Sequence, residues 1–194
     1  MLEKVDYSTS TDPRVKRTRQ WITESFMALM QSKTFQAITV QDIAQQAGIN
    51  RATFYAHFSD KYALLDHLVR EMFLQMLYAH IGEHAAYSMD NLKQLIIVTC
   101  EFLAKFAGNC HPSDKQHEPM IEISIQSQIY EIVFKWLLAE QDTVSRQMQA
   151  QIISWTIFGL GLDWRRSSPR PPLDKIAERV IALLREGVLI TATT

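Results

Sequence analysis

The 194-residue chain has two cysteines and only six glycines and six prolines. Cys100 and Cys110 sit in apolar or turn-like context and follow no metal-ligand or redox spacing. No disulfide framework is expected, and a reducing cytoplasm is the default setting. The longest apolar run, Ile152 to Leu162, stops at Asp163, short of the ~20 residues a membrane span requires. The leading residues MLEKVDYSTS lack a signal-peptide core, so neither a membrane nor an exported protein is expected. Also missing are GxSxG, HExxH, a phosphate-cradling glycine loop and a paired-carboxylate constellation. The chain is therefore not expected to be an enzyme, and no cofactor is implied. His80 and His84 flank Glu83 at helical spacing, and Cys110, His111 and His117 share one loop, but neither group has a recognised ligand spacing, so no metal is assigned.

What is present fits an ordinary globular protein: 47% of residues are hydrophobic, 21% are charged and the net charge is −1. This length buries a core without metal or disulfide staples. The charge is unevenly spread. Residues 1–61 carry eight Lys or Arg against six Asp or Glu, whereas residues 62–194 carry twelve against fifteen. Arg14, Lys16, Arg17 and Arg19 crowd into six positions, so a polyanion-facing front is joined to a neutral-to-acidic remainder.

Residues 1–11 are polar and unpatterned. Asp12 followed by Pro13 is a helix-start signal, and Val15, Ile22, Phe26, Leu29 and Met30 then recur at helical spacing. Thr39 with Asp42 three residues on predicts a capping box, and Gly48 a left-handed stop. Asn50 is placed to cap a third helix, RATFYAHF, and Ser59 or Asp60 a fourth running toward Gly82. Asp90 is read as the cap of a helix ending at Gly108, and AGNCHPSDKQHEP as loop. Further helices are expected around Ile125 to Leu137, over Val144 to Arg166, and over Leu173 to Leu189 after SSPRPP. No convincing strand pattern or internal repeat appears, so the fold class is all-α with eight or nine helices.

The most informative run is TVQDIAQQAGINRATFYAHF, residues 39–58. Two short helices meeting at Gly48 cross steeply where small residues let them approach, and Ala44 and Ala47 supply these. Ile43, Ile49 and Phe54 fill the space between them. This is a helix-turn-helix pattern, whose second helix enters the major groove. Its outer side offers Asn50, Arg51, Thr53 and His57, with Tyr55 beside them, polar tips suited to base edges and phosphates.

At Thr39, Ile43, Ala44, Ala47, Gly48, Thr53, Phe54, Tyr55, His57, Phe58, Lys61 and Leu64 the chain resembles the TetR (tetracycline-repressor, AcrR-like) family of bacterial regulators. Asn50 stands where that family often has Ser or Thr. The resemblance covers the first third of the chain and implies an N-terminal three-helix DNA-binding domain, residues 12–60, and a helical effector-binding and dimerisation domain, residues 61–194. It further implies that Thr39 and Tyr55 hold phosphates, and that Asn50, Arg51, Ala52 and Thr53 face the groove. By the same resemblance His57 reaches backbone or base, and Lys61 pins a phosphate. A cation in a helix's first turn opposes the dipole, which gives Lys61 a reason to meet an outside anion, and Arg17 and its basic neighbours share that reasoning.

In the larger domain, Ile152, Trp155, Phe158, Leu162, Val180 and Leu184 belong to unusually wide apolar stripes, and Gly159 and Gly161 would admit another helix. The resemblance implies that the last two helices pair with their symmetry mates. Two recognition helices ~34 Å apart would then read a palindrome. A small, largely apolar effector is expected near Met72, Phe73, Met76, His80, Cys100, Phe102, Phe106, Ile129 and Trp136, whose side chains are mostly soft or aromatic. The leading expectation is a homodimeric, ligand-released repressor of a palindromic operator on double-stranded DNA. The alternatives are a helical protein-binding adaptor and a non-specific DNA binder without an effector.

Overall fold

The computed structural model describes residues 12–109, 118–137 and 143–189. The described residues form eight α-helices and one 3₁₀ turn, with no strand. Cys110, His111 and His117 lie outside them. The chain divides into two compact units, Met1–Leu68 and Val69–Thr194.

The first unit opens with α1, Pro13–Met30. The Asp12 carboxylate accepts from the Arg14 amide at 2.8 Å, and Pro13 occupies a position where a missing N–H costs nothing. Ile22, Thr23 and Phe26 form its buried face. A 3₁₀ turn, Phe35–Ala37, follows, a feature the sequence pattern did not reveal. It buries Phe35 edge-on against Phe26, with ring centroids 6.0 Å apart. Next come α2, Val40–Gln46, and α3, Arg51–Tyr55. The third helix is shorter than its apolar pattern suggested, ending with Ala56 as its cap. α4, Lys61–Ile81, starts on Asp60, whose carboxylate accepts from the Tyr62 and Ala63 amides, both at 2.8 Å. Its residues through Leu68 belong to the first unit and the rest to the second.

In the second unit α5, Met89–Asn109, packs on α7, Thr143–Arg166, and on α8, Leu173–Leu189, while α6, Glu118–Trp136, packs on α7. The cap of α5 is Ser88, whose hydroxyl accepts from the Asn91 amide at 3.0 Å. Asp90 instead lies within the first turn, where its charge complements the helix dipole. The core comprises residues such as Phe73, Leu77, Leu95, Ile96, Cys100, Ile129, Val133, Ile153 and Ile157. Burial pushes the Cys100 thiol up to about 12, so it serves as an inert apolar residue. α7 crosses α5 at Gly161, where a Cβ would meet Leu103 Cδ1 at 2.7 Å and Thr99 Cγ2 at 3.3 Å. Arg165 on α7 donates to Glu122 at 3.0 Å and Glu118 at 3.3 Å on α6. Lys93 on α5 pairs with Asp174 and Glu178 on α8. No helix among the described residues is long and apolar enough to cross a membrane.

Candidate nucleic-acid interface

The turn between α2 and α3 is built from backbone hydrogen bonds. The Gly48 amide donates to the Gln45 carbonyl at 3.2 Å and the Ile49 amide to Ala44 at 3.0 Å. This paired closure of a helix end places Gly48 at φ +66°, a conformation glycine adopts without strain. Ile43 and Phe54 are fully buried and Ala44 nearly so, which fixes the angle at which α3 leaves the turn.

Both short helices are capped by side chains. At α2 the Thr39 hydroxyl accepts from the Asp42 amide at 3.1 Å, and the Asp42 carboxylate accepts from the Thr39 amide at 2.9 Å and hydroxyl at 2.7 Å. Those hydrogen bonds, with help from Lys33 at 3.0 Å, lower the Asp42 carboxyl to about 2. At α3 the Asn50 side-chain oxygen accepts from the Thr53 amide at 2.7 Å and the Thr53 hydroxyl at 3.0 Å. A five-residue helix cannot sustain itself in water, so these caps and the buried Phe54 hold it.

Most of the expected contact residues are exposed. Thr39, Asn50, Arg51, Ala52 and Tyr55 are exposed and Thr53 is half-buried. Arg51 donates to the Tyr55 hydroxyl at 3.3 Å, and its guanidinium carbon lies 5.8 Å from the centre of that ring. His57 is partly buried, and its basicity is lowered first by that burial and then by the charge of Arg19. On α1, Arg14, Lys16 and Arg17 are exposed, whereas Arg19 turns inward over the Phe58 ring at 5.7 Å.

Lys61 has partners that the sequence did not disclose. Its ammonium donates to the carbonyls of Ile38 at 2.8 Å, Phe35 at 2.9 Å and Gln36 at 3.1 Å. It also lies 4.7 Å from the Phe35 ring centre and 5.7 Å from that of Tyr62. An ammonium has three N–H groups, and all three face carbonyl oxygens of the chain itself. The 3₁₀ turn and its cap Ile38 are what collect those oxygens. In the first turn of α4 this cation is thus balanced by an inside set of acceptors.

The residues expected around an effector divide between core and surface. Phe73, Cys100, Phe102 and Ile129 are buried, with Phe73 and Phe102 edge-to-face at 5.4 Å, and Met76 and Phe106 are half-buried. Met72 is 39% exposed, and His80 is exposed with Nδ1 2.9 Å from the Met76 carbonyl oxygen. Trp136 lines a cavity of about 40 Å³ with Tyr78, Ile81, Glu83, Ala85, Ile132 and Lys135. That volume suits a water or two, far below the several hundred Å³ of a typical ligand site.

Among the expected interface residues, Ile152 and Trp155 are 56% and 53% exposed. Val144 and Met148 extend their stripe along α7 at 71% and 61%. Gly159 continues it with nothing within 4 Å of where a Cβ would stand, and Leu162, Val180 and Leu184 are half-buried. Phe158 does not belong to this face: it is 6% exposed, because its position on α7 turns it into the protomer.

A helix-turn-helix unit joined in one chain to an all-helical unit is a recognised protein class, and sequence comparison specifies it. Residues 22–68 match the family described as bacterial regulatory proteins, tetR family. DhaS, the dhaKLM operon transcriptional activator of Lactococcus lactis, is 37% identical over 60 residues, which are 31% of this chain and 32% of that protein. The chain spans less than a third of the length of the curated relatives it matches. Among solved structures, a TetR-family regulator from Streptomyces coelicolor superposes with a TM-score of 0.60 at 12% identity, covering 91% of this chain and 97% of that one. AlkX from Dietzia sp., a TetR-family repressor implicated in n-alkane biodegradation, superposes at 0.57 and 18% identity, covering 87% and 96%. Residues 22–68 are therefore similar to the tetR family of bacterial regulatory proteins, and the chain as a whole shares the fold of these solved structures.

Proposed function

We propose that the chain is a sequence-specific, DNA-binding transcriptional regulator of the bacterial cytoplasm. The observation that carries this reading is the exposed polar surface of α3, held by the Gly48 turn and the Asn50 cap. Its donors and acceptors suit base edges and phosphates. The functional division proposed is a DNA-facing segment, residues 12–60, and an effector and dimerisation segment, residues 61–194.

In this reading the protein binds a palindromic operator as a homodimer, with the exposed α7 stripe around Ile152, Trp155 and Gly159 against its symmetry mate. Repression is the proposed outcome, relieved by a small, largely apolar effector that enters among Phe73, Phe102, Phe106 and Ile129. An effector releases the operator only by its differential affinity for the released state, typically ~1 to 3 kcal/mol.

The test is selection from a random duplex pool with the purified chain at near-physiological salt, followed by sequencing. Recovery of an inverted repeat supports the reading and supplies the operator for effector screening. Retention without sequence preference identifies a non-specific binder, and no retention points to a protein-binding adaptor; either result removes it.

A further inference from the structure

The hydrogen bonds around α3 divide its exposed side chains into those already engaged and those free to read a base. Asn50 is the residue type that commonly reads adenine, through its amide oxygen and nitrogen together. Here that oxygen already accepts two hydrogen bonds from Thr53, which satisfies both of its lone pairs. Asn50 therefore keeps only its NH₂ donors, and the paired donor-acceptor pattern for adenine is gone. Thr53 donates its hydroxyl proton inward to Asn50, leaving only acceptor capacity outward.

Arg51 is differently placed. Its hydrogen bond to the Tyr55 hydroxyl at 3.3 Å and its position 5.8 Å from that ring tie the guanidinium to one side of α3. Tyr55 in turn stands edge-on to Phe54, with centroids 5.6 Å apart, and Phe54 is fully buried. An ordered route thus runs from the core through Phe54 and Tyr55 to a planar fork of donors at the surface. The Tyr55 hydroxyl takes one of the five N–H groups, so a two-pronged donor remains. In the major groove guanine offers two adjacent acceptors, O6 and N7, with which such a fork pairs. Adenine offers one acceptor beside a donor, which the fork rejects.

We infer that Arg51 reads a guanine in each half-site, that Tyr55 is its positioning residue, and that Asn50 is a helix cap rather than a base reader. This rests on the DNA-binding reading above and adds what that reading leaves open, the identity of one operator base. The wild-type chain selects a repeat in which one guanine per half-site is favoured over the other bases by roughly tenfold or more.

The experiment repeats the duplex selection with the full chain carrying Arg51→Lys, Tyr55→Phe or Asn50→Ser. Lysine keeps the charge without the fork, so Arg51→Lys flattens preference at that one position and leaves the other positions intact. Tyr55→Phe keeps the ring and removes only the hydroxyl, so it weakens the same preference partially. Serine caps a helix as asparagine does, so Asn50→Ser leaves the guanine in place. A selected repeat without such a guanine, or one whose guanine survives Arg51→Lys, overturns the inference while the DNA-binding reading stands. A uniform loss of affinity in Tyr55→Phe with unchanged base preference makes Tyr55 a phosphate contact and overturns its positioning role. Failure of the wild type to select any sequence overturns both.

Discussion

The Lys61 ammonium donates to the Ile38 carbonyl at 2.8 Å, binding the start of α4 to the backbone just before α2. With the Phe35 and Gln36 carbonyls it makes a three-point tether across 23 to 26 residues of sequence. Hydrogen bonds to charged groups contribute about 1.5 to 3 kcal/mol when broken singly. Lys61→Met removes all three and is therefore expected to lower stability by at least about the amount of one, read from denaturant midpoints at constant slope. The dependence of DNA affinity on salt is expected to keep its slope. Unchanged stability with a flatter salt dependence would instead restore the phosphate-pinning role.

The Asp42 carboxyl, held near 2 by the Thr39 hydroxyl and amide, sets a pH window. Its pKa is lower folded than unfolded, so its contribution is fully present above the unfolded value of about 3.9. That contribution is lost as pH falls through about 2. Asp42→Asn should be less stable than wild type at pH 6, and the difference should shrink between about pH 4 and pH 2. Parallel stability curves for the two proteins over that interval would show that the capping box contributes nothing through its charge.

Trp155 and Phe158 touch edge-to-face at 5.9 Å yet face different surroundings, one 53% and the other 6% exposed. Ile152→Lys and Trp155→Lys are expected to fold and to be monomers by light scattering. Their affinity for a palindromic duplex should fall on the order of a hundredfold, as the gain from paired engagement is lost. Phe158→Lys should fail to fold instead, since it places an unpaired charge in the core. Intact dimers of both exposed-face variants would place the interface elsewhere.

Gly159 and Gly161 separate in the same way. Gly161→Ala is expected to cost about 1 to 3 kcal/mol in protomer stability, because its Cβ meets the side chains of Leu103 and Thr99. Gly159→Ala meets nothing in the protomer, so it should leave protomer stability intact and raise the dimer dissociation constant. Equal melting behaviour of the two variants would contradict the assignment.

Much of the first unit was legible because its signals are local. Asp12-Pro13, Thr39 with Asp42, Gly48 and Asn50 each act within four residues, and all took the predicted conformation. The partners of Lys61 were not legible, since they lie 23 to 26 residues away on and just after a 3₁₀ turn that has no apolar period to announce it. In α7, apolar residues on more than one face showed that the helix has two kinds of neighbour, but not that Phe158 points inward while Trp155 points out. Ser88 capped α5 in place of Asp90 because a hydroxyl and a carboxylate two positions apart carry similar capping propensity.

The central claim is that two copies of α3 read two half-sites at once. It is tested most directly by fluorescence-anisotropy titration of the selected duplex against one with about five base pairs, half a helical turn, inserted between its halves. Two protomers per selected duplex are expected, with loss of most of the affinity on insertion, since the second half-site is rotated to the far side. Equal affinity for both duplexes, or for a scrambled one, would contradict it.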